Sequence, residues 1–161
     1  RALDELGIEY EVIPGVSSVA ASAATLKCEL TLPEISQTVI FSRISGRTQV
    51  PPDEDLEKLA SHKCTLCLFL SILKIKDVVK KLSVHYPPET PVAVVYKASW
   101  KDEKIIRGDL TSIAAQVEKA GIKLTALILV GKVLNTKDFQ DSRLYSKEYS
   151  HLFRKKNVKT Q

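Results

Sequence analysis

Pro91-Val92-Ala93-Val94-Val95-Tyr96-Lys97-Ala98-Ser99-Trp100 is an apolar, β-branched run entered by a proline and left through small polar residues. That form suits a strand covered on both faces of a sheet. Two other stretches share it, Cys64-Thr65-Leu66-Cys67-Leu68-Phe69-Leu70-Ser71 and Thr125-Ala126-Leu127-Ile128-Leu129-Val130-Gly131. Because α/β sheets bind ligands outside the carboxyl ends of their strands, the endings at Ser71, Ala98-Ser99 and Gly131 are expected to share one crevice.

Helical patterns separate these runs. Lys74 to Leu82 alternates lysines with Ile75, Val78, Val79 and Leu82 at helical spacing, which puts its basic residues on a solvated face. After Trp100, the polar turn Lys101-Asp102-Glu103 leads into a short returning strand, Lys104 to Arg107. Asp109 or Thr111 then caps a helix with Leu110, Ile113, Ala114 and Val117 inward, and Gly121 ends it. Upstream, Gln37 to Arg43 reads as a strand, and Pro51-Pro52-Asp53 opens a helix that buries Leu56, Leu59 and Ala60.

Nearer the start, Arg1 to Leu6 has helical composition and stops at Gly7. Ile8 to Ile13 alternates apolar and polar residues, as a strand does. Pro14-Gly15-Val16 breaks it, and Ser17 or Ser18 caps a small-residue helix, Val19 to Lys27. Strand, turn and helix N-terminus in that order present free N–H groups to a carboxylate or a ribose hydroxyl, although an ordinary βα connection has the same pattern. Leu30 to Ile35, with Pro33, reads as a connection between domains.

The expected architecture is α/β: a C-terminal domain with a mixed sheet, preceded by the last strand and helix of an α/β N-terminal domain. Residues 1–30 would end the first domain and form its linker, 31–134 the C-terminal domain, and 135–161 a tail, partly ordered near Leu144, Tyr145 and Phe153.

With 161 residues, 44% of them hydrophobic, the chain can close one good core or one domain plus part of another. No apolar run approaches the roughly 18 residues of a membrane span, which points to a cytoplasmic setting. An odd number of cysteines, three, argues against a secreted disulfide scaffold. There is no methionine, so residue 1 is expected to lie inside a longer protein. A net charge of +5 admits nucleic acid, anionic lipid or a polycarboxylate as partner.

Chemistry-bearing residues are sparse. Arg43 and Arg47 flank a turn, where two guanidinium forks suit a substrate with several acid groups and equally a solvated loop. Cys64 and Cys67 sit three apart on a strand and so face opposite ways, which excludes a metal knuckle and leaves two buried thiols. Asp102 and Glu103 are expected to be solvated turn carboxylates, and His151 has no partner at metal or triad spacing. No residue is singled out as a catalytic base, and no metal is expected.

Several separated stretches together resemble the tetrapyrrole (corrin/porphyrin) methylase family: Tyr10 to Ser18, Gln37 with Arg43, Gly46 and Arg47, Phe69-Leu70-Ser71, Thr90 to Trp100, Asp102-Glu103, Arg107-Gly108, Thr125 to Gly131, and Ser142-Arg143-Leu144-Tyr145 with His151 and Phe153-Arg154. The resemblance runs nearly end to end. It implies a two-domain, S-adenosylmethionine-dependent methyltransferase, usually a homodimer, acting on an anionic tetrapyrrole. In its most specific form the implied reaction is methylation of precorrin-4 or cobalt-precorrin-4 at C11 in cobalamin biosynthesis. The first domain's Gly-rich and Gly-Asp loops have no counterpart here, since Gly7, Gly15 and Gly46 lack that spacing.

Carried over onto matching positions, the resemblance implies cofactor contacts at Ser17, Ser18, Leu70, Ala98 and Ala126, and gives Arg43, Arg47, Lys97 and Arg107 the substrate's carboxylates. Lys97 is expected to point away from the cofactor, toward substrate or solvent. Neither nucleic acid nor membrane is expected as a partner. Two other readings compete: a related methylase acting on RNA or protein, and a non-catalytic fragment or dimerisation module.

Overall fold

The structure is a computed structural model and describes residues 1–136; the expected tail, with His151 and the basic run, lies outside the described residues. Helices α1 (Ala2–Glu5) and α2 (Ser18–Leu26) precede strand β1 (Val39–Ser42). A 3-10 turn, Pro52–Glu54, leads to α3 (Leu56–Ala60), then β2 (Thr65–Leu68) and α4 (Ile75–Leu82). The chain continues through β3 (Pro91–Tyr96), β4 (Lys104–Asp109), α5 (Ile113–Lys119) and β5 (Ala126–Val130), followed by a 3-10 turn, Lys132–Leu134.

The five strands form one mixed sheet in the order β1-β2-β5-β3-β4. β1 and β2 are parallel, whereas β5 is antiparallel to both β2 and β3, and β4 is antiparallel to β3. The three apolar runs are therefore the three central strands, as their two-sided burial requires.

Strand periodicity sorts the core into two clusters. Leu66, Leu68, Val92, Val94, Ile128 and Val130 face α3, α4 and α5 through residues such as Leu56, Val78, Leu82 and Ile113. Cys67, Ala93, Val95, Leu127 and Leu129 face the other way, onto Val19 and Leu26 of α2 and onto Val133 and Leu134. Residues 18–26 thus pack on this sheet.

Two sequence expectations differ from what is observed. Ile8 to Ile13 is not a strand: no strand of the described residues pairs with it, and Val12 and Ile13 are exposed. An alternating pattern gives a strand only where another edge completes the ladder. The second difference is the direction of β5. It is antiparallel to its neighbours, so Gly131 lies at the far end of the sheet, where its N–H donates to the Pro91 carbonyl at 3.0 Å. Glycine suits that place because φ is +146° and an added Cβ would come within 3.3 Å of Thr65 Cα. It is the start of β5, at Thr125 and Ala126, that meets the ends of β2 and β3.

All three cysteines are free, and Cys64 and Cys67 face opposite clusters. Burial pushes the Cys67 thiol up to about 12 and raises those of Cys64 and Cys28. The folded state therefore holds a neutral thiol that the unfolded chain ionises above its ordinary value near 9.0. This contribution is complete below that value and is lost as pH climbs toward the folded one. Urea unfolding is expected to show stability falling by about 1.4 kcal/mol per pH unit above pH ~9 from Cys67 alone. Cys67→Ala should have a shallower slope, and equal slopes would contradict the assignment.

Candidate functional site

Three chain segments meet beyond the ends of β2 and β3. After β2 the chain runs through Phe69 and Leu70 to Ser71, whose buried hydroxyl donates to the Phe69 carbonyl at 2.6 Å and accepts from Ile44 N–H at 3.0 Å. After β3 it enters the turn Lys97 to Glu103. There Lys97 N–H donates to the Thr125 carbonyl at 2.8 Å, which carries the β3–β5 ladder one step past both strands.

Backbone strain is concentrated here. Leu70 (φ +51°), Lys97 (+49°), Ser99 (+69°) and Thr125 (+52°) all lie in the left-handed region without being glycine. For a β-branched residue such as Thr125 this conformation is a true outlier. Strain of this kind persists only where the surroundings enforce it, and it gathers at ligand sites.

The fourth wall is α2. Ser17 caps it, its side-chain oxygen accepting from Ala20 N–H at 3.4 Å, and its left-handed C-cap is Lys27 (φ +54°). The helix is short on bulk, so its backbone stays near the sheet. Ser22 is fully buried in the same wall, with a hydroxyl that has no partner among the described residues.

Together these segments enclose a cleft of about 310 Å³, with Ser18, Leu70, Ala98 and Ala126 in its lining. Ser17 is next to Ser18 as the helix cap. Four of the five residues assigned to a cofactor thus line one place, with Ser17 beside them, although they are spread over more than a hundred positions of sequence. Phe69, Leu73, Trp100 and Leu124 add to the apolar lining and were not assigned a role from sequence. Their signal was weak: each is one apolar residue in a connection that enters or leaves a strand. Leu70, Leu73 and Leu124 are 87%, 69% and 68% exposed, so the mouth of the cleft is bare hydrophobic surface.

The basic residues divide. Lys97 stands at the rim of the cleft, its ammonium 2.5 Å from Asp102 and 5.1 and 5.4 Å from the ring centres of Tyr96 and Trp100. Its pKa is raised and that of Asp102 lowered, in each case chiefly by their shared hydrogen bond. Arg43 donates to the carbonyls of Thr48 and Gln49 at 2.9 and 3.3 Å, closing its own loop, while Arg47 is exposed. Arg43 also lines a shallow hollow with Phe41 and Phe69, and Phe69 is shared with the cleft. Arg107 lies elsewhere: it donates to the carbonyls of Leu26 and Leu134 at 3.0 and 3.5 Å and does not line the cleft.

One expectation is corrected outright. Glu103 is no idle turn carboxylate, because one of its oxygens accepts from Ser99 N–H at 2.7 Å and from the Thr25 hydroxyl at 3.0 Å. Among the described residues no cluster of three or more His, Cys, Asp or Glu could hold a metal ion, and no helix is long and apolar enough to cross a membrane.

Comparison with known proteins adds to this geometry. The family model for Tetrapyrrole (Corrin/Porphyrin) Methylases matches residues 1–114. A cobalt-precorrin-4 C(11)-methyltransferase of Methanocaldococcus jannaschii is 55% identical over 158 residues, 98% of this chain and 61% of the relative. The chain thus spans about three fifths of that relative's length. Among solved structures, a cobalt precorrin-4 methyltransferase of cobalamin biosynthesis superposes with a TM-score of 0.81 at 45% identity, over 84% of this chain and 57% of the other. A uroporphyrin-III C-methyltransferase of Thermus thermophilus, complexed with S-adenosylhomocysteine, has a TM-score of 0.65 at 25% identity, over 82% and 57% of the two chains.

Proposed function

The chain belongs to the tetrapyrrole (corrin/porphyrin) methylase family, and from that premise we propose that it is part of an S-adenosylmethionine-dependent C-methyltransferase acting on precorrin-4 or cobalt-precorrin-4 at C11. The supporting observation is the cleft that draws Ser18, Leu70, Ala98 and Ala126 into one lining.

The residues present fit an adenosyl group. The cleft is of ligand size and mostly apolar, with a few polar groups in its lining, as small-molecule sites are. Ala98 and Ala126 leave room for a flat ring against backbone, Leu70 supplies an apolar wall, and Ser17, Ser18 and the free N–H groups opening α2 meet polar atoms. When bound, S-adenosylmethionine supplies a sulfonium methyl that is already a strong electrophile. What remains for this chain is to hold, orient and exclude water.

The hollow lined by Phe41, Phe69 and Arg43 adjoins the cleft and suits an apolar macrocycle bearing carboxylates. Arg43 and Arg47 are the proposed holders of those acids, and Lys97 would join them by exchanging Asp102 for a substrate carboxylate. Arg107, which lines neither the cleft nor the adjoining hollow, is given no substrate contact in this proposal. Residues 1–30 close a first α/β domain and its linker, 31–134 form the C-terminal domain and 135–161 its tail, with α2 packing across the boundary. The enzyme would work as a cytoplasmic homodimer.

A transfer assay tests the reading with the protein at the length of its relatives. Label from S-adenosylmethionine is expected on precorrin-4, with or without cobalt, and its absence from both would contradict the proposal. In the same assay Arg43→Ala/Arg47→Ala should raise KM for the tetrapyrrole roughly tenfold while S-adenosylhomocysteine affinity stays put. The reverse pattern would remove the two arginines from the substrate side.

A further inference from the structure

The turn carrying Ala98 and the helix α2 are two walls of the cleft; the sheet ladder reaches the turn only at Lys97 and does not include α2. Among the described residues, the hydrogen bonds that join them meet on a single carboxylate oxygen. Glu103 Oε2 accepts from Ser99 N–H at 2.7 Å and from Thr25 Oγ1, on α2, at 3.0 Å. The preceding residue, Asp102, grips Lys97. Two adjacent carboxylates therefore hold the residues on either side of Ala98, and both of those residues sit in the disfavoured left-handed region. A conformation that unfavourable needs an external restraint, and Ser99 N–H has Glu103 as its partner.

We propose that Glu103 is the positioning residue of the cleft. By holding Ser99 and Thr25 on one oxygen it sets the gap between the Ala98 turn and α2, and so sets affinity for an adenosyl ligand that it does not touch. This rests on reading the cleft as the cofactor site. Charge is not what the geometry asks for. A glutamine carbonyl at the same place can accept both bonds, whereas alanine accepts neither.

The test uses the protein at its relatives' length, with S-adenosylhomocysteine as probe and two readouts: amide exchange at Ser99 and the dissociation constant. Glu103→Ala should speed Ser99 exchange and weaken the probe, each by about tenfold, as expected when both hydrogen bonds to the carboxylate oxygen are lost. Glu103→Gln should stay within roughly threefold of wild type on both. Thr25→Val removes only the helix leg, so Ser99 protection should persist while affinity drops about threefold; this variant also serves if Glu103→Ala does not fold. Unchanged Ser99 exchange in Glu103→Ala, faster exchange with unchanged affinity, or a Gln variant as impaired as Ala would each overturn the proposal. Wild-type protein that ignores the probe would instead sink the cofactor reading, and Ser99 exchange would still decide whether Glu103 holds the turn.

Discussion

Ala98→Trp is expected to weaken S-adenosylhomocysteine binding at least about 100-fold, roughly 2.7 kcal/mol, while leaving the protein folded. Ala98 lies in the cleft lining between two left-handed residues, with Lys97 tied to Asp102 and Ser99 to Glu103. The turn is thus held by its neighbours and not by the Ala98 side chain. An indole placed there fills much of a cleft of about 310 Å³. Because the mouth is open, the added ring can extend into that space instead of forcing the core apart. Calorimetry and a thermal melt separate the two effects. Unchanged affinity would remove Ala98 from the site, and a collapsed melt would show that its side chain supports the turn after all.

The second large effect concerns stability. Ser71→Ala should cost about 3 kcal/mol, or roughly 6–12 °C in Tm for a chain of this size. Its hydroxyl is fully buried and satisfies two backbone groups at once, the Phe69 carbonyl and Ile44 N–H. Alanine leaves both without that partner, Ile44 N–H in a buried place and the Phe69 carbonyl in a half-buried one, and the penalty for stranded buried groups exceeds the worth of an ordinary bond. The same hydroxyl joins the exit of β2, with strained Leu70, to the start of the Arg43 loop. A loss below about 0.5 kcal/mol in urea unfolding would mean that other partners replace it.

What could be read from the chain depended on the range of the interactions involved. The central strands were legible because two-sided burial writes itself as an unbroken apolar run, and the opposite facing of Cys64 and Cys67 follows from a period of two. The helices were legible from spacing and caps, with Asp109 accepting from both Thr111 and Ser112 before α5. The direction of β5 was not legible, because hydrophobic pattern carries no polarity. Glu103 was misread, and the place of Arg107 was not legible, for a related reason. Their partners, Thr25 and the Leu26 carbonyl, are 78 and 81 positions away, and nothing in the local sequence tells a solvated carboxylate or guanidinium from one that binds a distant helix. Ile8 to Ile13 shows the converse, a local pattern without the neighbouring edge that would make it a strand.

The central claim is that one slot between α2, the Leu70 exit and the Ala98 turn receives the adenosyl part of the cofactor. A crystal structure of the protein at its relatives' length with S-adenosylhomocysteine tests this directly. The account predicts the adenine in contact with Ala98 and Ala126, with Leu70 against the ring and Ser17 or Ser18 within hydrogen-bond reach of the ligand. Density for the ligand at any other surface, with this slot closed or filled by water, would contradict it.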